Sequence, residues 1–566
     1  MPTYPDLKSI RAEGLVPLEA QPTYLPLPGV EYGDSVNISV ELVDRHVAAG
    51  RANDIAIFFA DEGTTFTFGE LQAQSQALAG ALIALGLETG DRVGIRFPNR
   101  PEATIAMLAV WRAGGAVLPV PPQARAAELP SYIDDVEARF LIVYERDPGI
   151  SEVITATKGL AIEHVIAGPK AGDTPFLAWA DLVADADPLV EAVAVPANMP
   201  SVFWHTGGTT GKPKCCYHTA VQFLLAGKSA GQAYGIEDSD LHLAFPGPVG
   251  HAAGLLSRTN ISLLNGVPFV EVERMGDPTA LLSALSEYGV TWITAVAPLW
   301  GGMLKAYRAA PDAYDLSKLR KVFAPMISAV SEEIYDGWAE LGLPLQNTMG
   351  STQFATWFLV PPPRRSTPPG SVGPPAPGYE ATVIDAEKPG FHPVATGEIG
   401  LLAVRGPSGL TYWNRPEMQE RDLRDGWTVM DDLARMDENG YVWYLGRSDF
   451  MISTSGFKVA PVEVEDAMVH HPAVAEVSVV GSPDPERGEV VTAFVVPQAG
   501  ATADENTAKD VQDFVKRRIS PYKYPRRIIW VDSLPRDLVG KVQIRDLQEQ
   551  AKSVFFGEHR SVTLPS

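Results

Sequence analysis

Apolar positions in the first third of the chain recur at two alternating periods. From Phe68 to Gly86, Leu71, Leu78, Leu82 and Leu85 fall on one helical face, and Gly86 supplies a stop. RVGIRF (92–97) then reads as a strand, Pro101 to Ala113 as a second helix, and VLPV (117–120) as another strand. Strands separated by helices need crossover connections, which make the sheet mainly parallel with helices on both faces. Similar alternation covers 139–335. The pattern predicts an α/β fold.

Further along, the pattern changes twice. PPPRRSTPPGSVGPPAPG (361–378) is rich in Pro and Gly, as an interdomain linker would be. Clear β segments follow it, YEATVID (379–385) and GEIGLLAVRG (397–406), so it leads into a small β-rich subdomain. The better boundary is GRSD (446–449), after the short strand GYVWYL (440–445). Beyond it come an amphipathic helix over 459–474, strands over 475–483 and 490–497, and a helix from about Ala508 to Ile519. The expected organisation is an N-terminal domain over 1–446, a hinge at 447–449 and a small mobile α+β C-terminal domain over 450–566.

Composition narrows the class. A chain of 566 residues is too long for one compact core. Its net charge of −23 argues against nucleic acid and anionic membrane surfaces as main partners. The only cysteines are the adjacent Cys215 and Cys216, which allow no disulfide framework and favour a reducing compartment. No signal peptide and no membrane-length apolar run are visible, so a cytoplasmic location is expected.

WHTGGTTGKPKCCY (204–217) carries the most chemical information. Glycines let backbone N–H groups approach a phosphate closely, threonines add hydroxyls, and Lys212 and Lys214 add charge. The apolar Val202, Phe203 and Trp204 make a strand running into a phosphate-cradling loop the natural picture. The loop is not a Walker motif, because position 206 is Thr where Gly is needed and Pro213 follows Gly211-Lys212 where Ser or Thr would be required. A flexible surface loop is the alternative reading of this stretch taken alone.

With this loop, four further stretches in order resemble the acyl-adenylate-forming superfamily of acyl-CoA synthetases, peptide-synthetase adenylation domains and firefly luciferase. They are MGSTQ (349–353), DDLARMDENGYVWYLGRSD (431–449), SGFKVAPVEVE (455–465) and LPRDLVGKVQIR (534–545). The resemblance spans nearly the whole chain. It implies that a carboxylate attacks the α-phosphate of ATP to give acyl-AMP, after which a thiol, usually of coenzyme A, displaces AMP. It implies rotation of the C-terminal domain between the steps.

By the same resemblance, Lys541 bridges carboxylate and α-phosphate in adenylation, and His251 lies near the acyl carboxylate. Thr206, Gly207, Gly208, Thr209, Thr210, Gly211, Lys214, Gly350, Ser351, Thr352, Asp432 and Arg447 correspond to the nucleotide site. Ser455, Gly456, Phe457 and Lys458 correspond to the pantetheine tunnel, and Asp449 to the hinge. Ala252, Leu255, Trp300, Gly301 and Met349 are candidate walls of the acyl pocket. Their small and apolar character suits an aromatic, alicyclic or similarly bulky acid.

Three departures concern the nucleotide half. Gln353 stands where the family has a Glu that holds Mg²⁺ on the ATP phosphates. Met326-Ile327-Ser328 stands for a glycine-rich segment beside adenine, and Met430-Asp431-Asp432 for Thr-Gly-Asp. These hint at an acyl-CoA ligase whose adenylation half is weakened, against the plainer reading of a complete ligase with drifted motifs, which Lys541 and most of the loop favour for the overall label. Alternatives are a thiolation-only enzyme taking acyl-AMP from a partner, a stand-alone adenylation protein loading a carrier, a luciferase-like oxygenase and a catalytically dead nucleotide-binding protein. A homodimer is possible on any of these readings.

Overall fold

The computed structural model describes residues 14–170, 174–206, 214–325, 332–363, 367–454, 457–536, 542–555 and 561–563. The predicted alternation forms. Phe68–Ala84 is helical, with Gly86 at φ +88° behind it, and Arg92–Arg96, Pro101–Arg112 and Ala116–Pro119 follow as strand, helix and strand. The first helix begins at a reciprocal cap: Thr67 Oγ accepts from the Glu70 N–H at 3.2 Å, and Glu70 accepts from the Thr67 N–H at 2.8 Å.

Two large sheets make up most of the chain. The first has seven strands in the order Lys214–Thr219, Pro200–Thr206, Ala116–Pro119, Arg92–Arg96, Phe140–Tyr144, His164–Gly168, Leu177–Ala178. It is parallel except for the pairing of its first two members. The second has eight strands, among them Phe269–Glu271, Lys321–Pro325 and Gln346–Ser351, and is parallel with antiparallel ends. The helix Pro101–Arg112 is buried along nearly its whole length, which is why its sequence is almost uniformly apolar.

The Pro/Gly-rich stretch leads into a third, antiparallel sheet containing Glu380–Ile384, Gly400–Arg405, Trp427–Met436 and Val442–Arg447. After Arg447, all described strands belong to a fourth sheet with its own apolar cluster around Val464, Val479, Val511 and Trp530. The helix expected over 459–474 is shorter, Pro461–Met468. Pro461 starts it, and Pro472 disfavours helical backbone at the preceding His471.

One crossing sets the interior near the glycine–threonine loop. The helix Ala220–Ala233 runs against a π-helical segment, Ser257–Ser262. At Gly227 an added Cβ would lie 2.2 Å from the Asn260 carbonyl oxygen, so only glycine allows this approach. Asn260 Nδ2 then donates to the Phe223 and Ala355 carbonyls, each at 3.2 Å, joining helix, π segment and the turn after MGST.

Candidate functional site

Strands Pro200–Thr206 and Lys214–Thr219 bracket the glycine–threonine loop, with Thr206 opposite Lys214 in register. Gly207, Gly208, Thr209, Thr210, Gly211 and Lys212 lie outside the described residues, and Thr206 is placed by its backbone only. Lys214 is buried. Burial lowers the pKa of its ammonium, and Arg421 and Arg447 act in the same sense against the opposing pull of Asp422 and Asp431. The outgoing strand ends at Thr219, whose hydroxyl caps Ala220–Ala233 by accepting from the Gln222 N–H. The strand that follows the loop thus runs into a capped helix.

The same strand holds the MGSTQ turn. Met349, Gly350 and Ser351 end a strand, and Thr352, Gln353 and Phe354 form a single 3₁₀ turn. His218 Nε2 lies 2.7 Å from the Thr352 carbonyl, and the Cys216 thiol donates to it at 3.8 Å. Burial lowers the His218 pKa to about 4, so the ring is neutral at pH 7 and Nε2 carries the donated proton. At Gly350 a Cβ would come within 2.9 Å of the Thr356 carbonyl, which keeps the turn close to its return strand. Gln353 is half-buried, and Ser351 Oγ is buried without a hydrogen-bond partner.

A charged cluster lies where the third sheet ends. Asp432 and Arg447 are cross-strand neighbours, and Asp432 is buried. Arg447 Nη2 donates to Asp431 at 3.0 Å, and its Nε donates to Asp449 at 2.9 Å. Arg421 pairs with Asp422 and lies 3.9 Å from Asp431. Tyr412 donates its hydroxyl to Asp422 at 3.0 Å. Three cations, Lys214, Arg421 and Arg447, therefore share one region with Asp422, Asp431, Asp432 and Asp449. The carboxylates hold the arginines in place and also occupy donors that an anionic ligand would use.

His251 caps the short helix Ala252–Leu256, with the Ala253 N–H donating to its Nδ1 at 3.3 Å. Nε2 is therefore the protonated nitrogen whenever the ring is neutral. A cavity of about 630 Å³ lies between the helix Ala297–Ala309 and the segment around the hinge, lined among others by Gly301, Arg447, Phe450, Glu465 and Arg536. Burial pushes the Glu465 carboxyl up to about 7.

Of the five expected acyl walls, Gly301 lines this cavity. Its neighbour Trp300 is fully buried instead, its ring 4.9 Å from Trp338 and its N–H donating to the Phe323 carbonyl at 3.1 Å. Ala252 and Leu255 lie in the largest apolar core, and Met349 in another. Phe457 and Lys458 lie on a strand paired with Ile452–Thr454, while Ser455, Gly456, Lys541 and Met326-Ile327-Ser328 lie outside the described residues. Sequence reasoning missed Arg421, Asp422, His218 and Asn260. They carry no motif and become partners only through the contacts above.

Comparison with known proteins identifies the family. The family model of AMP-binding enzymes matches residues 44–413, and that of the AMP-binding enzyme C-terminal domain matches 463–541. The acetyl-coenzyme A synthetase of Pyrobaculum arsenaticum is 31% identical, over 93% of this chain and 84% of that one. The anthranilate CoA ligase AuaEII, solved with anthranoyl-AMP, superposes with a TM-score of 0.83 at 25% identity, covering 93% of this chain and 99% of its own. A benzoate CoA ligase from Burkholderia xenovorans LB400 gives 0.80 at 26% identity, covering 91% and 100%. The chain belongs to the AMP-binding, acyl-adenylate-forming enzymes and is an AMP-forming acid–CoA ligase.

Proposed function

We propose that this ligase acts on an aromatic, alicyclic or comparably bulky carboxylic acid, and that its adenylation step is the weaker half-reaction. The first part is supported by the benzoate and anthranilate ligases among its structural neighbours. In the first step the acid's carboxylate displaces pyrophosphate from the α-phosphate of ATP. Both reactants are anionic, so cations must hold them together. Lys214, Arg447 and Lys541 supply that charge, and Asp432 accepts the ribose hydroxyls. The coenzyme A thiol then attacks the acyl carbon and AMP leaves, with 455–458 lining its path. The unit after Asp449 turns about the hinge between the two steps.

The observation that carries the second part is the Asp431–Arg447 ion pair at 3.0 Å. Asp431 occupies the glycine place of the family triplet and, together with Asp449, occupies guanidinium donors that a phosphate would use. The turn at 351–353 suits Mg²⁺ poorly: Gln353 offers a neutral amide oxygen, and Mg²⁺ in such sites relies on carboxylates together with phosphate oxygens. Losing one charged contact lowers affinity about ten- to a hundred-fold, at ~1.5–3 kcal/mol. The thioester step is spared that penalty. Synthetic acyl-AMP with coenzyme A should therefore turn over faster than acid, ATP and coenzyme A. Asp431→Gly and Gln353→Glu should each narrow the gap. Wild-type pyrophosphate exchange as fast as thioester formation would remove the basis for the imbalance. No ATP-dependent turnover, with brisk turnover of acyl-AMP, would instead identify an enzyme fed with acyl-AMP by a partner.

A further inference from the structure

His205 and Cys215 are cross-strand partners one residue outside the pair that brackets the phosphate loop. Asp135 reaches them from the turn that follows Leu129–Ile133. One ligand atom from each of the three lies within 4.8 Å of the others. His205 has only 2% of its side chain exposed, and neither ring nitrogen makes a hydrogen bond. A buried imidazole with both nitrogens unsatisfied is costly to keep, and interiors seldom do so. Asp135 Oδ2 is likewise buried and unbonded.

The spacing explains what these atoms suit. His205 Nε2 and Asp135 Oδ2 are 3.5 Å apart, which is long for a hydrogen bond. Two ligands about 2.0–2.1 Å from one tetrahedral zinc lie about 3.3–3.4 Å apart. The surroundings also hold the three groups in place. Arg415 donates to the other Asp135 oxygen at 2.7 Å, Trp413 donates its indole N–H to the Asp135 carbonyl at 2.8 Å, and the Trp413 backbone N–H donates to the Cys215 carbonyl at 2.9 Å. Tyr132 packs edge-on against the imidazole at 4.8 Å. Outer contacts of this kind orient metal ligands.

We propose that Asp135, His205 and Cys215 form a binding site for a zinc-class divalent cation at the root of the phosphate loop. A carboxylate, an imidazole and a thiolate are the mixed donor set that zinc accepts, with water in the fourth position. The cation replaces the thiol proton, which leaves to solvent along the partly exposed Asp135 side. Bound there, it ties both strands of the loop to the 132–136 turn and to the 413–415 segment. Its ligands are different residues from Gln353, where the Mg²⁺ contact is expected.

The test uses the full chain, stripped with chelator and titrated with Co²⁺ and then Zn²⁺. The expected result is one ion per chain, with a thiolate-to-cobalt charge-transfer band that Zn²⁺ abolishes. Cys215→Ser should remove the band and weaken binding by at least about a hundred-fold, exceeding the ten- to hundred-fold loss typical of an outer partner. Cys216→Ser should keep the band. Asp135→Asn, on a partly exposed side chain, provides a second reading should the buried variant fail to fold, and it too should weaken binding. The proposal is overturned if the wild type takes up neither ion at micromolar concentration, if cobalt binds without the thiolate band, or if binding survives in folded Cys215→Ser or Asp135→Asn.

Discussion

At the scale of single residues, the proposed roles in the two half-reactions divide by charge. Lys541 follows Gly540 in the stretch that matches the adenylation lysine. Its charge matters when two anions must meet and not when a thiol attacks an activated acyl group. Lys541→Ala should abolish turnover of acid with ATP and spare thioester formation from supplied acyl-AMP; equal losses in the two assays would reject the role. Asp431 is partly exposed, so its pair with Arg447 is worth only about 0.4–1 kcal/mol. Asp431→Gly should accordingly raise pyrophosphate exchange roughly two- to five-fold. His218 gives a pH prediction. The folded ring resists protonation down to about 4, whereas the unfolded ring takes its proton near 6.5. Between those values the unfolded chain holds the extra proton, so this contribution is full above 6.5 and is lost as the pH falls toward 4. Urea unfolding of His218→Gln should show a shallower fall in stability over that window. An identical slope in variant and wild type would show that His218 is not the group responsible.

At the scale of elements, the MGSTQ turn is held by the strand and helix that follow the glycine–threonine loop. Lys214–Thr219 carries His218 and Cys216 to the Thr352 carbonyl, and Ala220–Ala233 meets Asn260, which reaches the Ala355 carbonyl. The crossing depends on Gly227. In Gly227→Ala the methyl would meet backbone that cannot rotate away, so helix and π segment must separate. Overpacking of this kind costs about 1–3 kcal/mol. We expect a lower urea midpoint together with weaker nucleotide binding, since the displaced helix carries the turn with it. A variant with unchanged midpoint and unchanged nucleotide affinity would show the crossing to be slack. The helix starts at Phe68 and Pro101 were legible in the sequence, and the structure shows their local causes, a cap of Thr67 with Glu70 and Pro101 at the first helical position. The end of the helix after Met468 was less so, because apolar spacing continued through a segment that His471-Pro472 turns aside.

At the scale of the molecule, the described strands after Arg447 share no sheet with those before it, and they have their own apolar cluster. Arg447 and Asp449 are ion-paired across the change of sheet. We expect limited proteolysis to cut between Arg447 and Lys458 or within the glycine–threonine loop, and to leave a large fragment ending near 447. Nucleotide should protect the loop more than the hinge. Persistent cleavage elsewhere, with both of these segments intact, would contradict a division at this point.

The sequence alone determined what depends on local spacing or residue type. Period gave the α/β alternation, and residue type gave a strand running into a glycine–threonine loop. Ordered motifs gave the family, because groups that must meet the same nucleotide are carried at fixed places along the chain. The tertiary structure decided which distant side chains share one space. Nothing near Asp431 in sequence marks Arg421 as its neighbour, and the adjacent Trp300 and Gly301 part ways, one into the core and one onto a cavity. The same holds for Asp135, His205 and Cys215, which strand pairing and a distant turn bring within reach of one another. Hydrophobic burial chooses the faces of elements from a pattern visible in the chain. Electrostatic partners are set by the residual geometry once those faces are buried, and that geometry exists only in the folded protein.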